Sequence, residues 1–410
     1  MADCLYDISI VGAGLWGSAA AYHLSVAPGI KVCLIGPNEP TFEEFSTRTI
    51  YGSYYDEARI TRQNTIDPLD GEIAMRTYEG LQQLQAKTGI QFFTERASVY
   101  FGPAGSRYIA SAKSTSELLG LNYLSQNRDQ IRQMYPYLDI GSSNECIIQQ
   151  SKSGMVNPRK LVLAQKTAAR LQGCHILDSI VEQINEKYLP GQGKSLQMIL
   201  EDGQIIQSRK VLLCTGVFTN FKRLLPQHLQ PDLKYMQSQT LRVELRDEDV
   251  QMLRNMPTIS SLTPEPVTAR SDIYACPPVI YPDGKTYLKI GHGDMEYIAS
   301  HEEVVTWYRS KGNPEMTERL AKQVKSLFPE IQPLSTQIDT CVETDTTTGL
   351  PYIDMVSPDI GIAIGGNGVG ARLGYEVAKM AANMIRKGYW DHDIPPDRFR
   401  ARFKKQCNKL

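Results

Sequence analysis

Residues 7–17 read DISIVGAGLWG: an apolar run from Asp7 to Val11 passes directly into Gly12-Ala13-Gly14-Leu15-Trp16-Gly17, followed by an Ala-rich stretch from Ser18 to Leu24. The order is buried strand, glycine turn, helix. In such a turn Gly12 permits the tight bend, Gly14 lets the backbone approach a pyrophosphate, and Gly17 lets helix and strand pack closely, while the helix N-terminus offers free N–H groups to phosphate. A second strand at Lys31 to Ile35 (KVCLI) completes a dinucleotide-binding unit. The alternative, a glycine-rich turn that binds nothing, stays open on these residues alone. The second strand ends in Gly36-Pro37 where an acid for the adenosine ribose is expected, with Glu39, Glu43 and Glu44 further on. No basic reader of a 2′-phosphate is evident, which disfavours NADP.

Farther along, Lys210 to Cys214 (KVLLC) reads as another buried strand, ending in Thr215-Gly216. Ile360 to Ile364 reads likewise, ending in Gly365-Gly366-Asn367-Gly368-Val369-Gly370 before a helix from Leu373 to Ile385. Downstream of the second strand, Ser98 to Phe101, Ser195 to Leu200 and Leu241 to Glu244 are strand-like segments that alternate with polar, Gly/Pro-punctuated connections rather than regular helices. The expected fold is α/β, with a discontinuous Rossmann-like dinucleotide-binding domain (1–90, 146–220 and 335–390). A mixed α+β substrate domain (91–145 and 221–334) is inserted in it, and 391–410 forms a C-terminal tail.

The chain's 410 residues accommodate about two domains. With 44 basic and 45 acidic residues, a net charge of −1, it has no electrostatic footprint for nucleic acid. Its eight cysteines lie at least 28 residues apart, which excludes CxxC pairs and zinc knuckles and disfavours a disulfide framework. The six histidines form no HxH or HExxH cluster, so no metal is expected. No run of 18 apolar residues occurs and Met1 to Tyr6 does not open like a signal peptide, so a soluble intracellular protein with a small-molecule ligand is expected. The terminal Asn408-Lys409-Leu410 approximates the Ser-Lys-Leu peroxisomal address, leaving peroxisome or cytoplasm as the expected location.

Four ordered blocks resemble the FAD-dependent amine oxidases of the D-amino-acid-oxidase superfamily, most closely the monomeric sarcosine oxidase and pipecolate oxidase branch. They are the DISIVGAGLWG turn; Gly52-Ser53-Tyr54-Tyr55-Asp56-Glu57-Ala58-Arg59-Ile60-Thr61-Arg62, similar to the branch's G-S-x-x-x-x-x-R-x-x-R; Tyr287-Leu288-Lys289-Ile290-Gly291; and Cys341-Val342-Glu343-Thr344-Asp345-Thr346 with the glycine loop after it. The resemblance implies FAD held at Gly12, Gly14, Gly17, Ser53, Gly216, Gly366, Gly368 and Gly370 and joined covalently through Cys341. It implies Lys289 and Arg59 as catalytic residues, Lys289 placing positive charge where oxygen is reduced, and Arg62 with Tyr55, Glu343 and Arg372 around the substrate. The implied reaction oxidises a secondary amine or N-methyl amino acid with oxygen, giving imine or aldehyde and hydrogen peroxide, in a monomer. A dehydrogenase of the same fold and a catalytically silent nucleotide-binding protein are the alternatives. On residue types alone, Arg59 and Arg62 could be solvated charges on one helix face, Lys289 an exposed sheet lysine and Cys341 a small buried hydrophobe.

Three departures point to an altered substrate pocket. Gly370 stands where the branch has a second carboxylate-gripping lysine, with Arg372 two residues on. Tyr54 and Tyr55 replace histidines common near the flavin, and Glu343 stands where an aromatic residue is usual.

Overall fold

The computed structural model describes residues 5–189, 193–261, 273–292 and 296–404; Asn408-Lys409-Leu410 lies outside the described residues. The Leu5–Val11 strand lies parallel between Val32–Ile35 and Ile205–Leu213. His175–Leu177 extends this parallel array on one side and Ile360–Ile364 on the other, where the antiparallel Tyr352–Ser357 follows. An antiparallel hairpin, Val181–Leu189 with Gly193–Leu200, also joins Ile205–Leu213. Val32–Ile35 and Ile360–Ile364 are buried throughout, as are Ile8 to Val11 and Val211 to Leu213, because both faces of the sheet are covered there. The Leu15–Ser25 and Gly370–Lys387 helices pack on one face, around Ile8, Ile10, Ala20, Leu34, Ala378 and Ile385.

The register aligns the carboxyl ends that matter. Val11 pairs with Leu213, and Leu213 with Ile362, so Gly12, Cys214 and Gly365 emerge side by side. In open parallel sheets ligands bind outside such ends.

A second, nine-stranded sheet is almost wholly antiparallel. Its longest ladder pairs Leu233–Glu244 with Ser335–Thr346, from Leu233↔Thr346 to Glu244↔Ser335. Two expected divisions therefore need correction. Residue 335 opens a strand of the second sheet rather than a return to the first, and residue 146 falls inside Asn144–Gln149, which pairs with Ser98–Pro103 in the second sheet. In both cases the ladder is continuous, and cutting it would orphan backbone groups. A third sheet has Gly154–Val156 between Arg59–Thr61 and Phe93–Glu95.

Regular helices also occur where polar connections were expected. Pro68–Thr88 runs 21 residues and Pro158–Leu171 runs 14. The buried face of the first mixes Ile73, Leu81 and Leu84 with the small residues Gly71, Ala74, Thr77 and Gly80, which thin its hydrophobic periodicity. Its boundary signals were nonetheless present: Asp67 caps Leu69 N–H, Pro68 stands in the first turn, and Gly89 ends the helix at φ 69°.

The expected tail is packed rather than loose up to the last described residues. Phe399 and Ile394 are buried in the core of the first sheet's helical face, and Phe399 stacks on Trp390 with ring centroids 5.6 Å apart. Truncating Phe399 to Ala should therefore cost about 3–5 kcal/mol in urea-induced unfolding, whereas a loose tail would lose nothing.

Candidate active site

A cavity of about 1390 Å³ opens where these carboxyl ends meet the second sheet. Its first wall is the turn after Val11. Gly12 sits at φ 103°, and a Cβ there would run into the Cys214 carbonyl; a Cβ at Gly17 would strike the Gly12 carbonyl. Gly14 differs: a Cβ there would meet only Tyr54 Cδ1 at 3.8 Å, so Gly14 leaves cavity space clear. Two helices begin at this wall, Leu15–Ser25 and Gly370–Lys387, and neither has a side-chain cap or an acidic residue in its first turn. Their first amides are thus left for an anion. Ser53, Gly216, Gly366, Gly368 and Gly370 line the same cavity. This cradle fits a dinucleotide diphosphate. Of the three acids after the second strand, Glu39 lines the cavity, held by Arg159 Nε at 2.8 Å and Nη2 at 2.6 Å, while Glu43 and Glu44 belong to the short Phe42–Phe45 helix.

A family model described as FAD dependent oxidoreductase (DAO) matches residues 7–384. The chain belongs to this family of FAD-dependent oxidoreductases. The monomeric sarcosine oxidase of Streptomyces avermitilis is 30% identical over 172 residues, 42% of this chain and 42% of the relative. The N-methyl-L-tryptophan oxidase of Yersinia pestis is 26% identical over 225 residues, 54% of this chain and 56% of the relative. The matched stretches thus span about half of those relatives or less. Among solved structures, NikD, an unusual amino acid oxidase of nikkomycin biosynthesis, superposes with a TM-score of 0.77 at 14% identity, covering 98% of each chain. The L-proline dehydrogenase of P. horikoshii gives 0.74 at 16% identity over 97% of each chain. These likenesses confirm the α/β flavoprotein fold. Among the described residues no helix is long and apolar enough to cross a membrane, and no group of three or more His, Cys, Asp or Glu side chains is placed to hold a metal.

The wall opposite the glycine turns is built by the small sheet and the long ladder. Arg59 and Arg62 are not on a helix: Arg59 opens the Arg59–Thr61 strand, Arg62 follows it, and both line the cavity. Arg62 donates from Nε to the Asn64 carbonyl (3.0 Å) and from Nη1 to Ser260 Oγ (3.1 Å), and lies 4.9 Å from the centroid of the Tyr100 ring. Arg59 donates from Nη2 to the Ser53 carbonyl (3.1 Å) and pairs with the Asp56 carboxylate. The Ser335–Thr346 strand lines the cavity from Ile338 to Thr344, Asp339, Cys341 and Glu343 among them. Burial raises the Cys341 thiol's pKa, opposed by Arg59, and the Tyr308 hydroxyl lies 3.8 Å from its sulfur. Tyr55 lines the cavity in edge contact with Tyr54, and burial raises its pKa so that it stays a phenol.

Two expected residues are placed otherwise than their roles imply. Arg372 lines the cavity, but its guanidinium is committed to the Asp70 carboxylate. Lys289 is fully buried, not an exposed sheet lysine, yet among the described residues the wall in front of it is Asp56, Arg59 and Tyr274 rather than Lys289 itself. Its Nζ donates to Asp56 Oδ2 (2.6 Å) and to the Ala58 carbonyl.

Several wall residues went unread in the sequence: Asp56, Tyr100, Ser260, Tyr274 and His292. They lie in five separate chain segments, and only folding gives them a common neighbour. Asp56 alone had an available signal, since it stands inside the block that carries Arg59 and Arg62. His292 is a neutral imidazole, because burial lowers its pKa to about 4.

Arg372 is buried and Asp70 partly so, and leaving the arginine uncompensated should be costly. Asp70→Ala is expected to lose about 3–5 kcal/mol in urea unfolding, and the apolar double replacement Asp70→Leu/Arg372→Met to lose less than that single change.

Proposed function

We propose that the chain is an FAD-dependent oxidase of a secondary amine or N-methyl amino acid that yields an imine or aldehyde and hydrogen peroxide. The observation that carries this reading is that one continuous cavity joins the Gly12–Gly17 turn to Arg59, Arg62 and Cys341. A nucleotide cradle alone would serve any ligand; a guanidinium and a cysteine at its far end suit an acidic amine beside a tethered redox group.

FAD, when bound, supplies the two-electron acceptor. Gly12, Gly14, Gly17, Ser53, Gly216, Gly366, Gly368 and Gly370 would hold it, with Glu39 as the acid on the wall near the end of the second strand. The substrate CH–NH unit loses two electrons and two protons and becomes C=N. Water then splits the imine into a carbonyl compound and an amine, and oxygen leaves with two electrons and two protons as hydrogen peroxide. Arg62 would clamp a substrate carboxylate with its planar fork and so fix the reacting carbon. Glu343 and Tyr55 shape the rest of the pocket, and Gly370 leaves volume for a substrate larger than sarcosine. Arg372, already paired with Asp70, buttresses the wall.

A second reading, in which electrons pass to a carrier instead of oxygen, is favoured by one observation: Lys289, the cation suited to stabilising reduced oxygen, is turned to Asp56.

Peroxide release measured over sarcosine, larger N-methyl amino acids, cyclic imino acids and carboxylate-free amines tests the proposal. Turnover with a dye but none with oxygen would select the dehydrogenase, and a colourless protein would end both readings. With an acidic substrate, Arg62→Ala should lower kcat/KM about 10- to 150-fold, the loss of one charge-assisted hydrogen bond, and leave carboxylate-free amines nearly unaffected.

Covalent attachment through Cys341 belongs to the same proposal. Acid precipitation should carry flavin down with the chain on a peptide containing Cys341, and Cys341→Ser should release all of it to the supernatant.

A further inference from the structure

Asp56 is the most heavily engaged carboxylate on the cavity wall. It is buried, and each of its oxygens is occupied: Oδ2 accepts from Lys289 Nζ at 2.6 Å and pairs with Arg59, and Oδ1 accepts from the Tyr281 hydroxyl at 2.8 Å and the Glu57 amide at 2.7 Å. One negative charge thus lies between the fully buried Lys289 and the part-buried Arg59. Only one of those cations, Arg59, reaches the cavity with it.

We propose that Asp56 is a positioning residue that keeps Lys289 charged and holds it behind the wall, so that Arg59 is the cation presented there and the oxygen step feels Lys289 only as Asp56 allows. The second half of this statement rests on the oxidase reading above; the first half does not.

The physical argument is a competition at one ammonium. Burial, and then the Arg59 guanidinium, push the pKa of Lys289 down from its ordinary value. The Asp56 carboxylate in contact favours the charged form instead. The remaining groups around Lys289 are weaker. Tyr274 and Cys276 face it from the Ile273–Ile280 strand, the Tyr274 ring centroid 5.8 Å from Nζ, and both are kept neutral by burial. Arg242, its register partner on Leu233–Glu244, is neutralised by Asp339 at 2.6 Å. Cys341, on the same strand as Asp339, is raised by burial. Without Asp56 the buried Lys289 and the part-buried Arg59 would adjoin uncompensated, and of the two only lysine can give up its proton.

Thermal unfolding of the whole chain from about pH 7 to about pH 10 tests the first half without any turnover. A buried lysine whose folded pKa lies below its unfolded value binds fewer protons folded than unfolded, so stability rises with pH between those two values. Wild type and Lys289→Met should show the same slope, because Asp56 keeps the wild-type lysine protonated. Asp56→Asn should be steeper, and Asp56→Asn/Lys289→Met should return to the wild-type slope. A wild type steeper than Lys289→Met, or an Asp56→Asn slope unchanged by adding Lys289→Met, overturns the proposal; the first comparison suffices if Asp56→Asn does not fold. For the second half, flavin reoxidation by oxygen after anaerobic reduction should be nearly flat with pH in wild type. In Asp56→Asn it should fall about tenfold from about pH 6 to about pH 9 as the ammonium is lost. A flat profile in Asp56→Asn overturns that half. A protein that oxidises no amine yet keeps the unfolding pattern overturns the oxidase reading and leaves the control of Lys289 by Asp56 standing.

Discussion

The site depends on the parallel pairing of Leu5–Val11 with Ile205–Leu213 and the close fit of Gly12 against the Cys214 carbonyl that this pairing creates. Parallel strands cannot be joined by a tight turn, so some 190 residues of chain intervene, and the whole second sheet is built from that excursion and the one that follows it. Where the two strands end together, the glycine turn, Thr215-Gly216 and the Gly365–Gly370 loop are forced into one space. The first turns of two helices are left uncapped there, and an anionic ligand is the natural partner of that arrangement.

The second constraint is the ladder between Leu233–Glu244 and Ser335–Thr346. Strand periodicity places Asp339, Cys341 and Glu343 on one face, and the register then determines what each of them meets. Cys341 lies across from Ser238, under Tyr308 and Trp307, whose indole N–H donates to the Cys341 carbonyl at 2.9 Å. The ladder is therefore both the frame of the second sheet and the carriage for the residues that reach back to the nucleotide cradle.

Charge on the cavity wall is arranged in pairs. Arg372 with Asp70, Arg59 and Lys289 with Asp56, and Arg159 with Glu39 and Glu57 are each compensated within the protein. Buried charges carry a heavy desolvation cost when unpaired, and pairing also determines which cation faces a ligand and which is held back. This accounts for the different fates of three residues that look equivalent as letters. Arg62 is held by a carbonyl, a hydroxyl and an aromatic face, Arg372 is tied to a carboxylate, and Lys289 is drawn behind the wall.

Much of the fold was legible in the sequence, because local patterns carry it: the apolar runs Asp7–Val11, Lys31–Ile35, Lys210–Cys214 and Ile360–Ile364 each lie in a strand of the first sheet. The Pro68–Thr88 helix escaped notice because small residues break up the face on which Ile73, Leu81 and Leu84 are buried, and the assignment of Ser335–Thr346 to the second sheet could not be read because a strand's sequence does not name its partner. For the site, the sequence by itself determined which residue types are available, among them the glycines of the turns, Arg62 and Cys341. Only the tertiary structure decided which of them face the cavity, since the electrostatic partners that hold Lys289 and Arg372 lie 233 and 302 residues away along the chain and become neighbours only on folding.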